Sequence, residues 1–312
     1  IRPLREMAKQ GVKKGMNQGL IAFTPAPAYL FNIGESIGYR AGKVGDSYYN
    51  GENRAYGALI SYYLKEKRSG NSKADFADEV KITIKNASGK VVRTLYNPAK
   101  PGLNRMNWGL ERNAPRSFRS PKPTKPTKPR GGKGVVPGKY TVEVAYQGLL
   151  QKTSIEVLKD PLIKISQAEM EEKSKWLDRL DESNDRVTKV MDQIRTYESD
   201  LAYFKKAVAG QDKFNLIIKD TEAKLNGFRE RIQGRQAQGI LGQPHTIASM
   251  LGAASYQLQG PLVPITMNQK NALEQVTLKI SALEKDFASY QSIFIPQMKT
   301  AIKQAGIKLF EK

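Results

Sequence analysis

The stretch VKITIKNASGKVVRTL, residues 80–95, alternates and then breaks. Val80, Ile82 and Ile84 fall on one side of an extended chain, and Lys81, Thr83 and Lys85 on the other. A period of two is that of a strand with one face in a core. Asn86-Ala87-Ser88-Gly89 interrupts the run and Val91-Val92-Arg93-Thr94-Leu95 resumes it. Together they predict a half-buried β-hairpin, and with it a β-rich first half of the chain.

Other short strands are predicted on both sides of this hairpin. Ala58-Leu59-Ile60-Ser61-Tyr62-Tyr63-Leu64 is a strand candidate, and residues 103–108 place Asn104, Met106 and Trp108 on one face. Val136-Pro137-Gly138-Lys139 is a turn that opens onto alternating Tyr140, Val142 and Val144, and Gln147-Gly148 turns the chain into a last strand at 149–157. Six or seven close-spaced strands predict an antiparallel β-sandwich of immunoglobulin or fibronectin type III kind over residues 56–159. Residues 1–55 are rich in Gly, Tyr, Asn and Pro. Pro25 and Pro27 push their predecessors out of the helical region, so this part reads as an extended connector lying across another surface.

After Asp160-Pro161 the spacing becomes helical. Ser166-Gln167-Ala168-Glu169 is a capping box, and Leu177, Leu180, Val187, Met191, Ile194 and Leu201 follow as one stripe, interrupted by Lys173 and Asn184. A second helix carries Phe214, Ile217, Ile218, Leu225, Phe228 and Ile232, and a short one is expected near residues 247–256. Thr266-Met267-Asn268-Gln269 opens a last helix with Leu273, Val276, Ile280, Leu283, Phe287, Tyr290 and Ile293; Pro296 should kink it and Gly306 stop it. Such amphipathic helices need partners, so residues 160–312 predict an antiparallel helical bundle. The expected fold class is α+β multidomain: connector, sandwich, bundle.

The chain has 312 residues, no cysteine and a formal net charge of +21. Disulfides, zinc–thiolate sites and thiol catalysis are therefore excluded. Residues 1–159 hold 29 Lys+Arg against 11 Asp+Glu, which is +18, whereas residues 160–312 hold 22 against 19, which is +3. The basic excess attracts anionic partners such as lipid headgroups, nucleic acid or an acidic protein. Its most concentrated part is a Pro-rich loop at 119–134, where Lys122, Lys125 and Lys128 recur every third residue. In polyproline II that spacing lines one edge, so these lysines with Arg130 are the candidate contacts to an anionic surface. An ordinary solvated loop between two strands, with lysines for solubility, is the favoured reading of the same residues.

No catalytic, cofactor or metal residue is assigned. His245 is the single histidine and has no neighbouring ligand set. No Gly-x-Ser-x-Gly elbow is present. Residues 38–44 imitate a phosphate loop, but Ile37 stands where the first glycine is required and Val44 where Ser or Thr would hold magnesium. Tyr39, Tyr48, Tyr49, Tyr62 and Tyr63 lie among basic residues, yet no nucleic-acid-binding module accompanies them, so nucleic acid is a disfavoured partner. No run has the length of a transmembrane helix.

Residues 55–64, AYGALISYYL, resemble the P-Y-G-A-x-I-x-Y-Y-L segment of large exported bacterial proteins with BNR-repeat, sortilin-like β-propellers. The hairpin at 80–95, the GLNRMNW of 102–108 and the VPGKYTV of 136–142 follow in the family's order, the last also resembling the Ig-like domain of flagellar hook-capping proteins. Residues 264–283, Ile295-Pro296-Gln297-Met298 and Gly306-Ile307 resemble its closing helices, and Arg2-Pro3-Leu4-Arg5 its exit from the propeller. Asn86 stands where the family often has Asp, and the Lys-Pro-Thr repeat is longer and more basic than expected. The resemblance implies a processed or partial chain, the C-terminal region of a propeller protein, with 1–55 as the connector from a propeller this chain lacks. It implies an exported location in the periplasm, outer membrane or cell surface of a Gram-negative bacterium. The implied role is a non-enzymatic interaction module with a protein partner, such as an outer-membrane export or uptake complex. The alternatives are an accessory region of a propeller glycoside hydrolase or peptidase, and a basic nucleic-acid or anionic-lipid binder.

Overall fold

The computed structural model describes residues 2–10, 19–31, 55–67, 75–235, 245–258 and 262–306. It is a mixed α/β structure, β-rich in its first half and helical in its C-terminal region. The expected hairpin is the pair β4 (Glu79–Lys85) and β5 (Val91–Pro98), with Ile82 opposite Leu95 and one register shift at Ile84/Lys85. Val80, Ile82 and Ile84 are completely buried, as the alternation requires. Asn86 closes the turn: its Oδ1 accepts from the Lys90 amide at 2.9 Å and from Ser88 Oγ at 2.8 Å. Gly89 completes the turn at φ +80°, a conformation that glycine adopts without steric cost.

Among the described residues ten strands form three sheets. In the first, β3 (Ala58–Leu64) lies between β1 (Leu20–Ala22) and β6 (Gly102–Trp108), antiparallel to both. The second runs β2-β10-β9-β4-β5, where β2 is Ala28–Leu30, β9 Gly138–Tyr146 and β10 Leu149–Lys159; β2 is parallel to β10 and the other pairs are antiparallel. The third is the small pair β7 (Glu111–Asn113) and β8 (Gly131–Gly134). Ile60, Tyr62, Leu64 and Trp108 of the first sheet share one apolar core with Val80, Ile82, Val142, Val144 and Ile155 of the second. Each such side chain contributes about 1.5–3 kcal/mol by leaving water. Gly57, at φ +116°, lets the chain pass the Trp108 carbonyl, which would lie 2.2 Å from any Cβ placed there.

The segment expected as an extended connector carries structure of its own. Helix α1 (Arg2–Gln10) places Met7 in a small cluster with Ile21, Phe23 and the half-buried Tyr63. Strands β1 and β2 each join one of the larger sheets, because Leu20, Ala28 and Leu30 supply apolar side chains to their core.

Among the described residues the C-terminal region has four α-helices: α2 (Gln167–Ala207), α3 (Asn215–Gln233), α4 (Ile247–Leu258) and α5 (Met267–Gln304). Both expected capping boxes are formed. The Ser166 amide donates to Glu169 Oε2 at 2.8 Å while the Glu169 amide donates to Ser166 Oγ, and Thr266 and Gln269 do the same. The stripe from Leu177 to Ile194 packs with Leu225, Ile232, Leu251, Leu273, Val276, Ile280, Leu283 and Phe287. A neighbouring cluster holds Leu201, Phe204, Phe214, Ile218, Phe294 and Met298. One position of the stripe departs from expectation. Ile293 is 59% exposed and Phe294 is buried, because Leu273, Ile280, Phe287 and Phe294 follow an unbroken seven-residue repeat that Ile293 falls outside. Helix α5 continues through Pro296 to Gln304, and Gly306 follows at φ +66°.

The chain divides into two compact units whose borders depart from chain order. The β-rich unit comprises Ile1–Ala114, Lys125–Ser174 and Pro261–Pro264; the helical unit comprises Pro115–Thr124, Lys175–Gly260 and Ile265–Lys312. Residues 119–124 of the Pro-rich loop thus fall in the helical unit and residues 125–134 in the β-rich unit.

Candidate functional site

The Pro-rich loop begins as part of the helical unit. Phe118 is buried in the helical core. Arg195 Nη2 donates to the Phe118 carbonyl at 2.6 Å and its Nη1 to the Ser120 carbonyl at 3.1 Å. Asn184 Nδ2 and Thr188 Oγ1 both donate to the Arg116 carbonyl, and the Arg116 guanidinium pairs with Asp192. This polar set explains why Asn184 interrupts an apolar stripe: its amide holds a strand of main chain that would otherwise bury an unsatisfied carbonyl. Lys122 follows on this part of the loop, fully exposed.

From Lys125 onward the loop belongs to the β-rich unit. Arg93, only 7% exposed, holds its end: Nε donates to Glu111 Oε1 at 3.1 Å, and Nη1 donates to Asn113 Oδ1 and to the Pro129 carbonyl, each at 3.0 Å. The fork of guanidinium donors suits one residue to three acceptors. Lys125 and Arg130 are exposed. Lys128 is engaged: its Nζ lies 2.6 Å from Glu79 Oε1 and 5.5 Å from the centre of the Phe76 ring. Lys122 sits in one unit and Lys125, Lys128 and Arg130 in the other, and Lys128 already has an anionic and an aromatic partner.

Phe76 and Glu79, the partners of Lys128, line a groove in the β-rich unit. Its walls are Phe76, Ala77, Glu79, Lys81, Gln147 and Leu150, with the Ala145–Leu149 turn closing one side, and it encloses about 600 Å³. Phe76 stands at φ +60°, a strained value for a large side chain, and its ring packs on Tyr96 at 4.8 Å between centres. Gln147 and Gly148, at φ +41° and +83°, make the mirror-image turn that tight hairpins prefer. Glu79 Oε2 is buried and has no hydrogen-bond partner among the described residues. Lys81 is exposed and Leu150 is 51% exposed. The groove offers a largely apolar lining with one anionic group, Glu79, and one cationic group, Lys81. Nothing in the sequence announced it, since its residues come from a turn, two strands and a hairpin tip that only the fold assembles.

The remaining sequence candidates sit in structural roles. Tyr62 is completely buried and its hydroxyl accepts from Asn97 Nδ2 at 2.7 Å; burial pushes its phenol pKa upward. Tyr63 packs on the α1 cluster, so neither is placed to stack a base. His245 is exposed in a turn, and its carbonyl accepts from Lys279 Nζ at 3.2 Å. Residues 38–44 and Tyr39, Tyr48 and Tyr49 lie outside the described residues. Among the described residues no group of three or more His, Asp or Glu is placed to hold a metal ion, and no helix is long and apolar enough to cross a membrane. No protein-family model matches the chain, and no curated protein is significantly similar to it.

Proposed function

We propose that this chain is a non-enzymatic interaction module of an exported envelope protein, the C-terminal region of a BNR-repeat, sortilin-like propeller protein. Its two larger sheets are taken as an Ig-like sandwich and its helices as an antiparallel bundle. The sandwich reading is supported by Tyr140, whose hydroxyl donates to the Val136 carbonyl at 2.6 Å and whose ring meets the buried Trp108 edge-on at 5.4 Å. A tyrosine that bonds back to its own upstream main chain beside a core tryptophan is a habit of such sandwiches. Burial pushes that phenol up to about 12, so it stays protonated and donating at any physiological pH.

One observation carries the functional reading: the buried cationic side chains of the described residues hold the chain itself. Arg93 holds β7 and the end of the Pro-rich loop, and Lys173 Nζ donates to the Val263 carbonyl at 3.2 Å. Reactive pairs poised in a cleft are what an enzyme of this size would need. The basic groups left exposed, Lys81, Lys122, Lys125 and Arg130, are instead recognition groups. A photo-crosslinking amino acid placed at Leu150 and, separately, at Lys125 tests this in living cells. A single adduct with an envelope protein is expected. Adducts confined to cytosolic proteins, or none at either position, would overturn it.

The charge of +18 over residues 1–159 favours a second reading, adsorption to an anionic lipid surface. Flotation with vesicles containing phosphatidylglycerol decides between them: lipid binding disappears steeply with salt, whereas a protein adduct at Leu150 survives without lipid.

A further inference from the structure

The two larger sheets treat their long outer strands differently. The free edge of β5 is closed: the Thr94 amide, which points out of the sheet, donates to Asn113 Oδ1 at 3.1 Å, and Arg93 ties the same stretch to β7. The outer strands β1 and β2 have three residues each. Strand β6, at the edge of the first sheet, has seven residues in unbroken register with β3 and contains neither bulge nor proline.

Register shows which main-chain groups β6 leaves open. In an antiparallel strand each residue turns both its N–H and its C=O to one side, and successive residues turn to opposite sides. The Ser61 carbonyl accepts from Phe23, and the Lys65 amide donates to Gly19, so the odd-numbered residues of β3 face β1. The even-numbered ones face β6, where Tyr62 pairs with Asn104, Ile60 with Met106 and Ala58 with Trp108. Leu103, Arg105 and Asn107 therefore point their amides and carbonyls outward, and no hydrogen bond among the described residues reaches them. A row of this kind is a template for another strand, which natural proteins ordinarily blunt.

From this we infer that β6 is a docking edge that takes an extended, acidic segment of a partner protein as a fourth strand of the first sheet. Main-chain bonds at Leu103, Arg105 and Asn107 hold the segment, and its alternate side chains are read on the outer face. There Arg105 is exposed across from Ser61, and Leu103, 42% exposed, lies across from Tyr63. The fitting sequence has an acidic residue beside Arg105 and an apolar one two positions away, beside Leu103. Charge selects this occupant over a second copy of the chain. Two copies of β6 related by a two-fold axis at Arg105 would set like charges opposite one another, within halves that each carry +18. The inference deepens the interaction role proposed above by naming its surface and the chemistry of its partner.

The probe is a labelled ten-residue peptide of alternating Thr and Val with one central Glu, compared with the same peptide carrying Lys. Anisotropy gives affinity, and amide hydrogen exchange gives location. The Glu peptide should bind and slow exchange at Leu103, Arg105 and Asn107, leaving Asn104 and Met106, already bonded to β3, unchanged. Arg105→Glu should weaken the Glu peptide by on the order of tenfold and turn the preference toward Lys. Arg105→Pro should abolish protection, because it removes an outward amide while sparing the β3 ladder. A thermal melt checks that this variant folds, and Arg105→Glu stands by itself if it does not. The inference is overturned if the Glu peptide fails to bind, protects other amides, or binds Arg105→Glu equally well. Protection of the three amides in the protein alone, rising with concentration together with a dimeric mass, overturns it in favour of a second copy. Crosslinks at Leu150 that persist in Arg105→Pro while the peptide fails to bind would sink the edge and spare the module; a peptide-competent edge with no envelope adduct would do the reverse.

Discussion

Trp108 and Phe118 are near neighbours in the chain and are buried in different units. Trp108 is fully enclosed in the β-rich core, its Nε1 donating to the Glu111 carbonyl at 2.8 Å. Phe118 is enclosed among helices, with its carbonyl held by Arg195. The β-rich core combines aliphatic residues with polar-tipped aromatics, Tyr62, Trp108 and Tyr140, each with one specific acceptor or donor. The helical core combines aliphatic residues with Phe118, Phe287 and Phe228, and a segment from the stretch between β7 and β8 is held on it by Asn184, Thr188 and Arg195. The first kind of core specifies register through its own side chains. The second specifies which piece of distant chain lies on it.

The largest effect expected from testing this contrast is at Trp108. Trp108→Ala should cost about 3–5 kcal/mol in urea unfolding, with faster exchange in both larger sheets. If only one sheet loosens, they do not share a core. Phe118→Ala should cost about 3 kcal/mol and speed exchange in α2 between Asn184 and Arg195, leaving β4 and β9 protected. The opposite pattern would return residues 115–124 to the β-rich unit. Arg93→Met strands Glu111 and Asn113, and about 2 kcal/mol should be lost, together with a rise in proteolytic nicking near Pro129. Nicking unchanged from the wild type would mean that the loop is held elsewhere.

Asn184→Leu sharpens the comparison because sequence and structure disagree on its sign. Repairing the apolar stripe should stabilise an isolated helix, whereas losing the donor to the Arg116 carbonyl should cost the protein about 1 kcal/mol. The smallest effect concerns Glu143, which bonds Lys85 at 2.8 Å and Lys152 at 3.1 Å on the outer face of the second sheet. The hydrogen bond from Lys85, then that from Lys152, hold its carboxyl below the usual range. Its contribution is therefore present above the unfolded carboxylate pKa and is lost as pH falls through the lower folded value. Glu143→Gln should flatten the acid limb of a stability–pH curve. An unchanged limb would show that the lysine pair does not hold this carboxylate in solution.

Much of the framework was legible in the sequence. The hairpin at 80–95, the buried face of Asn104, Met106 and Trp108, both capping boxes and the stop at Gly306 all rest on interactions within a few residues or on a repeat of 2 or 3.6. Strands β7 and β8 escaped notice because Glu111–Asn113 and Gly131–Gly134 carry no apolar alternation; Arg93 and the Trp108 indole hold that region from other strands. The groove at Phe76 and the basic residues around it were illegible for the same reason, since Lys128 acquires Glu79 as a partner only when β4 brings it there.

For the hairpin at 80–95, the other strands with apolar alternation and the C-terminal helices, the sequence by itself determined where elements form and which face they hide, because those depend on local hydrogen bonding and on the periodic placement of apolar side chains. Only the tertiary structure decided which segment belongs to which unit, why Lys173 and Asn184 break a stripe, and which sheet edge is left unpaired among the described residues. Those outcomes depend on single donors meeting carbonyls far away in the chain, and composition carries no record of such meetings.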